Sequence, residues 1–376
     1  NWTVDGRSTK GSGMNERSTE TLVVTLVTVT NLLIAFFISG VVIWALGEDP
    51  WFALKTLLYG AFGYDEGLGY TLYYTTNFIF TGLAFAIGFH CGLFNIGAEG
   101  QAYIGGLGVG LICLWLEDWS LWLVFPLAVL TSIILGGIWG AIPGYFKAKR
   151  GSHEVVTTIM FNFIASVIMV NILSHVLRPP KEMSPESREF AEGVWIPQMH
   201  EIFDWFGINI TQTPLNGTFF FALICLVLVW RFIWYTRWGY EIRTVGTNDT
   251  AAVYAGISVS RNIILAMVVC GGLAGFVGIN EIMGSSHRIM LNFQAGIGFT
   301  GIAVSLIGRN HPLGILLAAL LFGILYQGGA ELSFEVQAID HHLVVLIQGL
   351  VILFAGALEN LFRPQIEYFV KQLAPQ

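Results

Sequence analysis

From Leu22 to Leu46 the chain carries no charged residue. A helix needs about 20 apolar residues to cross the hydrocarbon core of a bilayer, so this run is long enough to span it and to remain there as an anchor. It is too long for the apolar core of a cleavable signal peptide. Comparable runs recur along most of the sequence, which is 55% hydrophobic and 11% charged. A soluble domain carries roughly 25% charged residues, so the pattern is that of an integral membrane protein with no room for a sizeable soluble domain.

Charged or turn-rich breaks divide the apolar runs into ten predicted helices: 21–46, 71–89, 93–116, 121–146, 153–177, 218–235, 262–283, 296–308, 312–330 and 342–361. The expected fold class is therefore an all-α polytopic membrane protein of about ten transmembrane helices. The opening "NWTVDGRSTKGSG", residues 1–13, is polar and unlike the apolar chain after it, and it reads as an appended tag before a native start at Met14. Residues 14–376 are expected to form one transmembrane domain.

The distribution of basic residues sets an expected orientation. With the N-terminus placed in the cytoplasm, 13 of the 18 Lys and Arg fall on the inner side, among them Arg17, Lys147, Lys149, Arg150 and Arg309, and 5 fall outside. Cytoplasmic loops of membrane proteins are enriched in Lys and Arg, so both termini are predicted to be cytoplasmic. The polar stretch 178–217 is then external, a surface on which an outside partner could dock. The stretch 236–261 is internal, and in it Asp249 can cap a short small-residue helix that runs through Tyr254 and Ala255 and is ended by Gly256. Such a helix could enter a groove on a cytosolic partner or serve as a solvated connector.

Gly136, Gly140 and Gly144 recur every four positions, as do Gly106 and Gly110, and Gly271 and Gly275. This spacing lets helix backbones approach closely where lipid provides no hydrophobic drive for association. Cys91, Cys113, Cys225 and Cys270 lie in apolar runs without metal-ligand spacing and read as packing residues. The sequence has no GxxxxGK[ST], HExxH or GxSxG, so it holds no phosphate loop or hydrolytic site of those types.

Polar groups at membrane depth are few. An acidic side chain there costs about 3 kcal/mol on insertion scales, so Glu99 should face protein, water or a charge partner. Asn77, Asn95, Gln101, Asn162 and Gln294 are amides in the same situation. They either bond backbone freed where "NIGAEG" interrupts a helix or line a pathway, and both readings stand. For Glu99 the expectation is a local structural role with access to the pathway. A second glycine-rich break at 292–314 resembles the first in layout and hints at two related halves.

Four blocks, "FNIGAEGQ" (Phe94–Gln101), "HEVVTTIMFNFIA" (His153–Ala165), "EIRTVGTNDTAAVYAGI" (Glu241–Ile257) and "GFTGIAVSLIGRNHPLG" (Gly298–Gly314), resemble in sequence and order the permease subunits of bacterial ABC importers for nucleosides and simple sugars. The chain departs from them at His153, where Asn is common. The resemblance covers nearly everything after Met14. It implies a type II importer fold in the inner (plasma) membrane, with two permeases, commonly different proteins, around one pathway. It also implies cytosolic ATP-binding subunits and an extracytoplasmic substrate-binding protein. The chain itself would carry no cofactor, with ATP and Mg on the ATPase subunits, and would bind lipid but no nucleic acid. Residues 247–257 would be the coupling helix, with Asn248, Asp249, Ala252 and Tyr254, together with Ala251, Ala255 and Gly256, at the ATPase. Asn95, Glu99, Asn162 and Gln294 would line or shape the pathway; Asn77 and Gln101, as amides at membrane depth, and Phe94, as an aromatic, are further pathway candidates read from the residues themselves.

The function so implied is ATP-driven import of nucleosides by alternating access, with no bond chemistry in this chain; a simple sugar or another polar solute is the alternative. Phe94, Phe161 and Phe293 could stack on a base or simply pack. Two other classes stay open: an ion-coupled secondary transporter, favoured by broken helices but short of paired intramembrane charges, and a channel or scaffold.

Overall fold

The computed structural model describes residues 12–180, 182–205, 207–336, 339–357, 364–366 and 368. Most of the expected tag and residues 358–361 of the last expected helix lie outside these. Among the described residues the ordered elements are helices and turns. They are α1 (Ser12–Ala45), α2 (Pro50–Phe62), α3 (Asp65–His90), α4 (Ala98–Trp115), α5 (Leu121–Arg150), α6 (Glu154–Ile172), α7 (Met199–Asp204), α8 (Thr218–Tyr235), α9 (Arg237–Thr247), α10 (Asp249–Tyr254), α11 (Val259–Gly275), α12 (Ile297–Ile307), α13 (Pro312–Glu335) and α14 (His341–Ala357). Two π-helical segments, Leu173–Leu177 and Ile279–Ser286, continue α6 and follow α11.

Each of the ten sequence-predicted segments overlaps a helix, and seven helices among the described residues are long and apolar enough to cross a membrane. The first break is wider than expected, because the backbone from Cys91 to Gly97 is not helical and α4 starts only at Ala98. Three helices, α2, α7 and α9, were not anticipated. α2 starts with Pro50 at its first position, where the missing N–H costs nothing, and the Asp49 carboxylate accepts from Trp51 N at 2.8 Å. The segment 236–261, read as a loop with one short helix, holds both α9 and α10. Asn248, not Asp249, caps α10: its backbone is extended (φ −161°) and its Oδ1 accepts from Ala251 N at 3.0 Å. Asp249 comes next as the first helical residue, where its charge suits the helix dipole. The helix stops at Tyr254, and Gly256 turns the chain with φ +76°.

Contacts divide the chain into two compact units, residues 1–54 with 336–376, and residues 55–335. In the first, α1 packs against α14. The second carries the polar residues at issue. At its centre lie α3 and α11, 83% and 78% buried over their most apolar stretches, against 28%, 22% and 33% for α5, α6 and α8. The outer faces of α5 and α6 show Trp122, Ile134, Phe163 and Val167, as expected of surfaces that meet acyl chains.

The glycine repeats form the seams. A Cβ on Gly136 would strike the backbone of Gly271, and one on Gly140 the carbonyl of Met267, so α5 lies backbone to backbone on α11. Gly275 packs in turn on Gly105 of α4 and on Ser132. All four cysteines are buried free thiols.

The polar stretch 182–217 is laid down on the protein. Ser187 N donates to Ile289 O (3.0 Å), Phe190 N to His287 O (2.8 Å) and Ile196 N to Met283 O (3.3 Å). Trp195 stacks on His287 with ring centroids 3.9 Å apart, and Arg188 pairs with Glu117. It thus roofs the outgoing end of the second π segment.

Candidate functional site

Ending α3 at His90 and starting α4 at Ala98 frees backbone groups that have no water to bond if they lie at membrane depth. Two amides, Asn95 and Asn162, take up such groups, and a third, Gln101, braces Asn95. Asn95 Oδ1 accepts from Gly97 N at 3.0 Å, while its Nδ2 donates to Gln101 Oε1 at 3.0 Å and Gln101 Nε2 returns a bond at 3.2 Å. From α6, Asn162 Oδ1 accepts from Gly100 N (2.9 Å) and its Nδ2 donates to Ile96 O (3.0 Å). Asn95 and Asn162 thus bond backbone at the break, and Gln101 bonds Asn95.

Glu99 does something the sequence did not indicate. Its Oε1 accepts from Gly296 N and its Oε2 from Gly298 N, both at 2.8 Å. These N–H groups open α12, and Gly296 is left-handed at φ +82°. The carboxylate of one broken segment therefore caps the helix that leaves the other, where a negative charge meets the positive end of the helix dipole. A side chain at Gly298 would overlap the Glu99 backbone. A second tie lies one turn on: Asn292 N donates to Tyr103 Oη at 2.8 Å, and Tyr103 meets Phe293 edge-on at 5.4 Å. Gln294 is 4% exposed beside Glu99, and its Oε1 is buried without a partner among the described residues. It is the amide here with unfilled acceptor capacity.

Asn77, at the middle of α3, belongs to a different network. Its Nδ2 donates to Glu281 Oε1 at 2.5 Å and its Oδ1 accepts from Asn280 Nδ2 at 3.0 Å. Asn280 Oδ1 accepts from Asn216 Nδ2 at 3.0 Å, and Asn216 Oδ1 accepts from Thr218 N at 3.0 Å. Sequence reasoning missed Glu281, although a carboxylate inside the predicted 262–283 helix is itself the signal. The aromatics named for base stacking are engaged in packing: Phe94 against Phe85 (5.0 Å), Phe161 against Trp139 (5.3 Å) and Phe293 against Tyr103.

The α9–α10 hairpin sits beside the first break. A Cβ on Gly246 would collide with the His90 carbonyl, and one on Gly92, at φ +72°, would lie 3.3 Å from Gly246 Cα. Glu241 of α9 accepts from Asn262 of α11 at 3.2 Å and pairs with Arg237 at 2.8 Å, contacts that hold its carboxyl below the usual carboxylate range. A cleft of about 500 Å³ is lined by Cys91, Gly92, Lys147, Val245, Asn248 and Asp249. Of α10 and its flanks only Ala252 is buried; Asn248, Asp249, Ala251, Ala255 and Gly256 are exposed, with Val253 and Tyr254 standing out at 62% and 89%.

A protein-family model described as "Branched-chain amino acid transport system / permease component" matches residues 67–356. The chain belongs to this permease family. Its relatives include the guanosine ABC transporter permease protein NupP of Bacillus subtilis, 35% identical over 302 residues (79% of this chain, 83% of the relative). The nucleoside ABC transporter permease protein NupB of Lactococcus lactis is 32% identical over 339 residues (88% and 90%), and a glucose ABC transporter permease protein of Haloferax volcanii is 32% identical over 332 (87% and 85%). The permease is thus a transport component and a multi-pass membrane protein. Both helix breaks, the Glu99 tie and α10 lie inside the matched region.

Proposed function

We propose that this permease forms half of the pathway of an ATP-driven nucleoside importer. The observation that carries the reading is α10: a capped six-residue helix that buries Ala252, presents Val253 and Tyr254, and is joined through Gly246 to the break at the head of α4. Such a helix gives a cytosolic motor a handle on the membrane core. Asn248, Asp249, Ala251, Ala252, Tyr254, Ala255 and Gly256 are its docking elements, and ATP and Mg reside on the partner subunits, which do the hydrolysis.

In this reading the ten apolar segments all cross the membrane, both termini are cytoplasmic, and residues 14–376 act as one transmembrane domain after a tag of residues 1–13. A second permease, commonly a different protein, completes the pathway, and an extracytoplasmic binding protein docks on the 182–217 roof. Nucleosides are favoured as cargo by the names of two relatives; a simple sugar is the alternative, favoured by the third.

The test is co-purification with an ATP-binding subunit, followed by uptake in vesicles. ATP-dependent nucleoside uptake is expected. Uptake that runs on a sodium or proton gradient without ATP would overturn the reading in favour of a secondary transporter.

A further inference from the structure

Glu281 lies in the π segment Ile279–Ser286, a helix form that recurs at functional sites. Asn77 donates to it and the Tyr73 hydroxyl lies alongside. An ionised carboxylate offers about four acceptor directions, so these two neighbours do not exhaust it. Next to it, Tyr74 meets Tyr73 edge-on (centroids 5.5 Å) and Tyr326 at a tilt (5.6 Å), while the Tyr326 hydroxyl pairs with Thr300 Oγ1 at 3.2 Å. Glu281, Tyr74, Tyr326 and Thr300 are all partly exposed, whereas Tyr73, Asn77, Phe78 and Asn280 behind them are buried. Four elements, α3, the π segment, α12 and α13, thus contribute partly exposed acid, phenol and hydroxyl groups that follow one another from Glu281 through Tyr74 and Tyr326 to Thr300. A carboxylate set against lipid costs about 3 kcal/mol, so the strip faces water, solute or the second permease. It lies beneath the roof, since Asn216 bonds Asn280 and Ile196 bonds Met283.

The conjunction of one carboxylate with acceptor capacity to spare and two adjoining aromatic faces is the chemistry that takes up a ribose and its base. Carboxylates accept ribose hydroxyls in dinucleotide sites, and aromatic rings stack on any base. Resting on the nucleoside reading above, we propose that this strip is a solute-contact site of the pathway, in which Glu281 accepts the vicinal hydroxyls of a ribose while Tyr74 and Tyr326 pack on the base. Glu281 is then a specificity-determining residue that favours ribonucleosides over their 2′-deoxy forms.

The test uses the complete transporter in liposomes at saturating loaded binding protein, with guanosine and 2′-deoxyguanosine as probes and maximal uptake rate as readout. The wild type is expected to move guanosine faster. Glu281→Gln retains an acceptor for Asn77, so its melting temperature stays at the wild-type value, but its guanosine rate falls roughly tenfold or more and the preference disappears. Tyr74→Ala lowers both rates alike and leaves the preference. Glu281→Asp, which keeps the charge and the fold, retains the preference at a reduced rate and decides the matter should Glu281→Gln fail to assemble. An unchanged preference in Glu281→Gln, an equal loss of both rates, or a wild type that does not discriminate would overturn the assignment. A wild type that imports glucose and neither nucleoside would instead bring down the nucleoside reading, and this site with it.

Discussion

Glu99→Ala separates a framework role for Glu99 from a solute-contact role. The carboxylate accepts from Gly296 N and Gly298 N, both at 2.8 Å, and is 8% exposed. Removing it leaves one buried and one half-buried N–H group without an acceptor, at about 1–3 kcal/mol each, so a destabilisation of about 2–6 kcal/mol is expected. The cap on the α12 dipole is lost along with the bonds, which places the result in the upper part of that range. Glu99→Gln keeps one acceptor oxygen but turns an NH₂ toward the other N–H, and it is expected to cost about 2–3 kcal/mol. The assay is thermal unfolding of the purified permease in detergent, read by a thiol-reactive dye on the four buried cysteines. The order wild type, Gln, Ala should hold in melting temperature, and uptake per folded molecule should follow it. If Glu99→Ala melts with the wild type yet loses uptake, the framework argument is wrong and Glu99 acts on solute.

Gly140→Val sets a branched side chain against the Met267 carbonyl and should prevent α5 from seating on α11, seen as loss of a monodisperse peak on size exclusion; a well-behaved variant would contradict the backbone seam. Asn248→Ala removes the α10 cap at a cost of about 1 kcal/mol and should reduce ATPase stimulation while leaving the melting temperature nearly unchanged; Asn248→Asp should restore it. Arg188, hydrogen-bonded to Glu117, holds that carboxyl below the ordinary carboxylate range. A depressed folded-state pKa means the pair supports the roof fully above about pH 4.3 and loses that support as pH falls through the lower folded value. Hydrogen exchange in residues 182–194 should therefore begin to rise as pH falls below about 4.3, and Glu117→Gln should already show the higher exchange at neutral pH, the two proteins converging once the wild-type carboxyl is protonated.

The helices were legible because an apolar run bounded by charge or glycine is almost a sufficient description of a membrane helix, and the Gly136, Gly140 and Gly144 repeat named its own seam. The wider break at 91–97 was legible as an interruption but not in extent, since its length is set by what Asn162 of α6 bonds across space. Partners of this kind leave no local trace. Glu99 was conspicuous in sequence, yet its acceptor bonds run to main-chain groups nearly two hundred positions away, and a backbone N–H has no side-chain signature. Glu281 was passed over for the opposite reason: its cue was local, but it lay near the end of an expected helix, where a charge attracts no notice. α2 was missed because Asp49–Pro50, a helix-opening pair, also reads as a turn.

Gly246 meets the backbone of His90 to Gly92 with no side chain interposed. Ordinary helix contacts absorb small displacements by rotamer adjustment, which gives a joint some slack. A joint made of main chain on main chain has none, so a shift of the α9–α10 hairpin at Gly246 passes directly to the backbone of His90 to Gly92, where α3 ends and the first break begins. The permease thus carries a stiff linkage between its exposed hairpin and the first helix break, and any side chain added at position 246 converts that linkage into a spacer.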